Sequence, residues 1–399
     1  MEELTMDSEQ FYFEHTIKLE KDSYLKLLDM YFKPKEFFDG VEKTLSEEQK
    51  KALKGESLFD KIFPIEAKYL ENHKDMEVRQ DFIAWNGWCF RGHRDSSWKL
   101  ETTFERLCFK NYGTKNKDLF DVEKGMIRDF RRRIQKYDPT LASIDSNDFY
   151  MLLANMQHYG CATRFLDMTF SFFVALFFAC GYIEFEKIDE DENKDKKNSE
   201  SDDGESTSVV SEKSEKEAEA LKKKKIKTFS IYCFNRMWIE KTYKKNLPRG
   251  LKKYYASDEF GKMPKTQEAV FNFVPNRKVD DSDDAVKDVF KSVINMTPFY
   301  MNVRLDRQKG TFLIPTNPYC TFEENLKSLV EKDKENGKFR VLKINVEYDD
   351  AMLLYYQKFL DEMNINHAVL FNDVENICKQ INYKTRLPND ALITPKAGI

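Results

Sequence analysis

The chain has 399 residues, with 65 Lys and Arg against 69 Asp and Glu, a formal charge of -4 at pH 7. That balance supplies no global field for drawing in a polyanion or an anionic membrane, so any such contact has to be a local patch. A hydrophobic share of 41% with 33 Phe and 19 Tyr is ample for a core, and seven scattered cysteines without C-x-x-C spacing read as reduced, mostly buried thiols of a cytoplasmic protein rather than a disulfide frame or a metal site.

Residues 1–80 are expected to form a helical extension. They begin acidic, without a charged-then-apolar leader. The run "DSYLKLLDMYF" places Tyr24, Leu27, Leu28 and Tyr31 on one helical face, and Pro34 and Pro64 punctuate the rest of the region. No chemical motif stands out there. Residues 81–185 form the first part of the main domain. Trp88 to Phe90 reads as a short strand that Gly92 ends. Leu119, Val122, Met126, Phe130, Ile134 and Tyr137 then recur at three-four spacing, an amphipathic helix with Arg131, Arg132 and Arg133 on its solvated face. A second helix is expected in "SNDFYMLLANMQHYG", with Ser146 or Asn147 to cap it and Gly160 suited to the left-handed position at its end. "CATRFLDMT" reads as a connector, with Asp167 or Thr169 capping the apolar run Phe172 to Cys180. That run is a buried helix, too short for a bilayer, which takes about twenty residues.

Residues 186–227 break the pattern. These 42 positions hold 25 charged residues and no Phe, Tyr or Trp, so they cannot bury enough apolar surface to offset chain entropy, and a disordered charged insertion is expected. Residues 228–385 resume the domain, with strands expected in "TFSIYCFN", "GTFLIP" and "VLKINV". Next come a helix through "DDAMLLYYQKFLDEM", a short strand "HAVLF" and a closing helix "NDVENICKQI", the last with Asn372 and Glu375 at capping-box spacing. Residues 386–399 are a tail. The sum is an α+β fold: a single mixed domain whose small sheet is built from distant segments, with a helical extension and an insertion.

Three segments carry chemistry. In Phe90-Arg91-Gly92-His93, the guanidinium offers a planar fork for phosphate or carboxylate, and the bare glycine allows close approach to the backbone. "QHYGCATRFLD" crowds Gln157, His158, Tyr159, Thr163, Arg164 and Asp167 between two apolar helices. "RLDRQKGTF" brings Arg304, Arg307, Gln308 and Gly310 into a strand. Each segment also has a structural explanation. Arg91 can pair with a buried acid such as Asp167, His158 can cap helix carbonyls, and Gln308 can satisfy loop backbone. Trp88, Phe90 and Trp98 are expected to anchor the first segment to the core. Taken together, the three segments point to one shared pocket for an anionic small molecule or nucleotide.

The blocks "FRGHRDSSWKLETTFER", "LLANMQHYGCATRFLDMTFSFFVALFFA" and "RQKGTF" resemble the FRG domain family, named for its Phe/Tyr-Arg-Gly motif. The resemblance spans roughly Phe82 to Ile381, interrupted by the insertion, with Phe165 where leucine is usual and Met168 where tryptophan is common. Two functions fit it. The aromatic-Arg-Gly strand is similar to the opening motif of arginine-type ADP-ribosyltransferases. That similarity implies NAD as cofactor, with Arg91, Gly92 and His93 holding its ribose or phosphate. Tyr159 and Thr163 would then serve the nicotinamide end, Arg164 would belong to the cofactor-binding set, and Gln308 would stabilise the oxocarbenium-like state or position the acceptor. No E-x-E or Q-x-E pattern stands on a late strand, and the amide of Gln308 cannot deprotonate a nucleophile. A phosphoester variant would use His93 or His158 as acid and base, but no metal-binding carboxylate cluster in the sequence supports it. The other function is a non-catalytic sensor. In it Arg91, Arg94, Arg164 and Arg307 grip a nucleotide, a nucleic acid or an acidic partner, for example in a defence or regulatory protein, as the family's presence on mobile elements hints. An enzyme is expected to gather Arg91, Tyr159 and Gln308 around one deep cleft. No membrane contact is expected, and the sequence carries no trace of an oligomeric state.

Overall fold

A computed structural model describes residues 11–20, 23–64, 80–110, 119–138, 141, 144, 149–181, 227–246, 291–298, 302–371 and 373–384. Their organising element is one seven-stranded sheet of order β1-β7-β4-β2-β3-β6-β5. The strands are β1 (Phe13–Ile17), β2 (Trp88–His93), β3 (Leu166–Thr169), β4 (Lys227–Asn235), β5 (Val293–Met296), β6 (Gly310–Pro315) and β7 (Val341–Tyr348). Only β1 and β7 run parallel; the other neighbours are antiparallel. With helices laid on both faces, the α+β class holds, and the sheet is indeed built from segments far apart in sequence.

The long central strands β4 and β7 pair from Lys227↔Tyr348 to Phe234↔Val341, and both are almost wholly buried. One face of the sheet presents Phe90, Ile231, Ile344 and Val346 to the Phe172–Cys180 helix and to Leu27, Met30, Phe38 and Val41 of the helices Ser23–Phe32 and Pro34–Thr44. The other face presents Cys89, Tyr232, Leu166 and Leu313 to Phe322, Leu326 and Leu329 of the helix Phe322–Glu331. Near β5 and β6, Met296, Phe312 and Ile314 meet Leu152, Leu153 and Met156 of the helix Phe149–His158. The Phe172–Cys180 helix is apolar on all sides because it lies between the sheet and the helix Asp350–Glu362, which donates Gln357 Nε2 to the Cys180 carbonyl at 2.8 Å.

Several local readings change. The N-terminal region contributes an edge strand as well as helices, since β1 adds to the free side of β7 over five residue pairs. β2 does not stop at Gly92; β4 carries it on to His93. "CATRFLDMT" is not only a connector, because Leu166–Thr169 pairs with β6. The cap of the Phe172–Cys180 helix is Ser171, whose hydroxyl accepts from the Val174 amide at 3.4 Å, while Thr169 Oγ1 accepts from the Ser171 amide at 3.0 Å. "HAVLF" is helical, His367–Phe371. In the closing helix Val374–Lys384, Asp373 takes the Asn376 amide at 2.8 Å. Ser146, Asn147, Asn372, the insertion up to residue 226 and the tail lie outside the described residues.

Candidate functional site

β2 is held unequally by its two neighbours. It pairs with β4 at six positions, from Trp88↔Asn235 to His93↔Ser230, but with β3 only at Phe90↔Thr169. Past that pair the ladder stops and the Arg91 side chain bridges the two strands. Its Nη1 donates to the Asp167 main-chain carbonyl at 2.7 Å, and its Nε donates to His93 Nε2 at 2.9 Å. His93 is buried, and burial together with the Arg91 charge pushes it down to about 3, against a raising contact with the Trp98 main chain. A neutral imidazole is what lets Nε2 accept from a guanidinium. Both acceptors of Arg91 are therefore uncharged.

The second wall comes from the end of the Phe149–His158 helix, which Gly160 terminates in the left-handed conformation (φ 85°). There Gln157 Nε2 donates to Asp167 Oδ1 at 2.6 Å, while its Oε1 accepts from the Thr163 hydroxyl. Thr163 is buried, and its amide donates to Thr103 Oγ1 at 3.0 Å. The Asp167 carboxylate, which can only accept, fixes which way the Gln157 amide points, and the Thr163 hydroxyl satisfies the oxygen left on the other side. His158 is half-buried, and burial with the nearby Arg304 charge keeps its pKa below the usual histidine value.

The third wall is the short helix Val303–Arg307, capped by Asn302 through the Leu305 amide at 2.8 Å. Arg304 and Gln308 are four residues apart and so share a face. The Arg304 guanidinium lies 4.7 Å from the Phe371 ring centroid. The Gln308 carbonyl accepts from Thr169 Oγ1 at 2.6 Å, which ties this wall back to β3.

These walls enclose a cleft of about 390 Å³. Arg91, Arg94, Arg304 and His158 line it, against Asp167 as the one carboxylate among the described lining residues. Phe178, Phe312, Phe371 and Leu305 supply apolar surface. Of the candidate residues singled out in the sequence, Phe90, Arg91, Gly92, Arg94, Gln157, His158, Asp167, Arg304, Gln308 and Gly310 line this cleft. His93 lies behind Arg91, and Thr163 behind Gln157. Tyr159 does not line the cleft and is 55% exposed. Arg164 is directed elsewhere: its Nε and Nη2 donate to the two oxygens of Glu123 at 2.8 and 2.7 Å, with both side chains buried. Arg307 donates to the Val369 carbonyl at 2.9 Å. Trp98 is 47% exposed, with the Arg94 guanidinium 5.5 Å from its ring, so it does not anchor the segment in the core.

Gly92 has a structural cause. A Cβ at that position would stand 1.9 Å from the Ala175 carbonyl oxygen and 2.6 Å from the Ala179 nitrogen. The glycine is what lets the Phe172–Cys180 helix seat directly on β2. The Glu123–Arg164 pair similarly explains the register of the helix Leu119–Ile134. Its buried face is Leu119, Phe120, Glu123 and Ile127, turned from the apolar stripe so that Glu123 can reach Arg164, and Tyr137 is left 83% exposed. Sequence reasoning named Arg304, Gln157 and Asp167 but gave Arg304 no role beside Gln308 and did not foresee the hydrogen bond between Gln157 and Asp167. The shared face of Arg304 and Gln308 was legible from their four-residue spacing; the Gln157–Asp167 bond joins a helix end to a strand and had no local signal.

Among the described residues, no helix is long and apolar enough to cross a membrane, and no cluster of three or more His, Cys, Asp or Glu is placed to hold a metal ion. None of the seven cysteines is joined in a disulfide. No curated protein and no solved structure matches the chain. The family model of the FRG domain matches residues 86–187, which contain both the Phe-Arg-Gly strand and the Gln157–Asp167 wall. By that match the chain carries an FRG domain, and the third wall of its cleft, Val303 to Gln308, is supplied from outside the matched segment.

Proposed function

We propose that the cleft binds a nucleotide-like anion. The observation that carries this reading is the state of Arg91, a half-buried cation whose two acceptors, His93 and the Asp167 carbonyl, are both neutral, in a cleft with two further arginines and one carboxylate. The charge of Arg91 is therefore left for a ligand, and a guanidinium fork suits phosphate oxygens. The phenylalanine side offers apolar surface for a ring, and the volume lies within the range of ordinary small-molecule sites. Binding without turnover, as in a sensor, needs nothing more.

An NAD-using, ADP-ribosyltransferase-like enzyme is the second reading, favoured by the presence of proton-accepting groups in the same cleft. Gln308 cannot take a proton, but His158 is kept neutral by burial and by Arg304 and can serve as the base toward an acceptor. Calorimetric titration of the full chain with ADP, ATP and NAD tests the first reading, and nicotinamide release, with and without cell extract, tests the second. Saturable binding of at least one nucleotide that Arg91→Ala and Arg304→Ala both weaken, with folding intact, is the expected result. No heat with any of the three ligands would remove the nucleotide reading. Nicotinamide release that His158→Gln abolishes while binding persists would add the enzyme; binding without release leaves a sensor.

A further inference from the structure

Asp167 is the exposed residue of β3, whose other residues are buried, and it lines a cleft that Arg91, Arg94 and Arg304 also line. A site for phosphate alone has no use for it, because a carboxylate repels the anion that the arginines attract. Nor does it pair with Arg91. That guanidinium bonds the Asp167 main-chain carbonyl at 2.7 Å, no ion pair joins the two side chains, and the carboxylate acts on the arginine only from a distance. The carboxylate is nevertheless held in place. Gln157 Nε2 donates to its Oδ1 at 2.6 Å, and the Thr163 hydroxyl donates to Gln157 Oε1. Thr163 is fixed in turn by Thr103, whose Oγ1 accepts from the Thr163 amide at 3.0 Å and donates to the Thr163 carbonyl at 3.1 Å. This chain of side chains occupies one oxygen of Asp167, while Oδ2 takes no hydrogen bond from any described residue. An ionised carboxylate only accepts, so Asp167 Oδ2 is a positioned acceptor that calls for a donor on the ligand.

We propose that Asp167 Oδ2 accepts from a ribose hydroxyl, so that the cleft selects ribonucleotides over their deoxy counterparts. This rests on the nucleotide reading of the same cleft and names the part of the ligand that the arginines do not read. The donor has to lie beside the phosphates, because the carbonyl that holds Arg91 and the carboxylate belong to one residue. In a nucleotide the sugar hydroxyls are the donors nearest the phosphates, and the donors of the base stand a ring further away. The apolar surface of Phe178 and Phe371, in the same cleft, suits the base. A carboxylate among arginines therefore separates the two ends of the recognition: the cations take the phosphates, and the anion takes the sugar. A ligand without the hydroxyl leaves Asp167 desolvated and unpaired, which is how a polar site rejects a close analogue.

Calorimetric titration of the full chain with ADP, 2′-deoxy-ADP and 3′-deoxy-ADP is the test. One of the two deoxy analogues is expected to bind at least about tenfold more weakly than ADP, the scale of one hydrogen bond to a charged group. Asp167→Ala should lower ADP to the level of that analogue and leave the analogue itself no weaker. Asp167→Asn keeps an acceptor for Gln157 and replaces the other oxygen with a donor, so it should narrow the gap, and it carries the comparison if Asp167→Ala lowers the thermal transition. Equal binding of all three ligands by the wild type would overturn the ribose proposal and leave the nucleotide reading standing. A gap that persists undiminished in the folded Asp167 variants would overturn it too, since another residue then reads the hydroxyl. So would a gain of the same size for all three ligands in Asp167→Ala, which would make the carboxylate a counterweight to the arginines and nothing more. No binding of any of the three by the wild type would remove the nucleotide reading and this proposal with it.

Discussion

Arg164 and Arg91 stand in neighbouring motifs of one domain, each beside short polar residues, and the structure uses them in opposite ways. Arg164 is 2% exposed, bonded through two nitrogens to Glu123, held by the Pro315 carbonyl at 3.3 Å and stacked 5.4 Å from the Phe120 ring. Its charge is answered within the core. Arg91 is equally constrained in position, yet both its partners are neutral. Burial disfavours its charged form, while the Asp167 carboxylate, held by Gln157, acts on it only from a distance. What separates the two arginines is the charge of their acceptors, and residue spacing does not report that.

The comparison breaks most sharply at the buried pair. Arg164→Ala is expected to cost about 3–5 kcal/mol in denaturant unfolding, because Glu123 is left buried and uncompensated. The double variant Arg164→Met, Glu123→Leu should recover most of that loss, since two apolar side chains replace two desolvated charges. A double variant no more stable than Arg164→Ala would mean that the fork geometry itself, rather than the orphaned charge, sets the cost.

Glu105 extends the comparison to a buried carboxylate that has amides and no cation as partners. Its Oε2 accepts from the Phe322 amide at 3.0 Å and the Thr102 amide at 3.4 Å, joining two helix starts. Burial raises it from 4.5 to about 7, despite those amides. A folded pKa above the unfolded one means that the folded state holds a proton that the unfolded state releases. The associated stability is complete below about pH 4.5 and is lost as pH rises through 7, roughly 3 kcal/mol at most for a shift of that size. Thermal transitions from pH 5 to 9 should fall for the wild type and flatten in Glu105→Gln. Parallel curves for the two proteins would show that Glu105 ionises freely.

How far the fold was legible depended on how local each element's cause is. β4, β6 and β7 and the Phe172–Cys180 helix declare themselves through alternation or unbroken apolarity, which are properties of neighbouring residues. β1, with Glu14, His15 and Thr16 inside it, is a strand because the free edge of β7 receives it. β3 is four residues long and depends on β6 in the same way. "HAVLF" is too short for its period to separate strand from helix, and its helical state comes from Gln380 taking the His367 amide and Asn366 taking the Val369 amide. Gly92 looked like a strand end or a ligand contact because sequence shows an absent side chain without showing what fills the space. The cleft was legible as three segments, and its inner contacts, Gln157 to Asp167 and Thr169 to Gln308, were not, since each joins elements that only the sheet brings together.

The smaller effects concern the cleft arginines, where stability and binding should part company. Arg91→Ala removes two hydrogen bonds from a half-buried seam, which is worth about 1–3 kcal/mol of stability. It should also remove more than tenfold of nucleotide affinity, the scale of one charge-assisted contact. Arg304 is exposed and rests on the Phe371 ring, so Arg304→Ala should change stability by no more than about 0.5 kcal/mol. Its affinity loss should nevertheless match that of Arg91→Ala, because both guanidinium groups face the same cleft. Arg164→Met with Glu123→Leu is the control, since it touches neither group. If Arg304→Ala leaves affinity unchanged while Arg91→Ala lowers affinity and stability in proportion, Arg91 is a strand clasp like any other core arginine, and the contrast with Arg164 becomes one of degree.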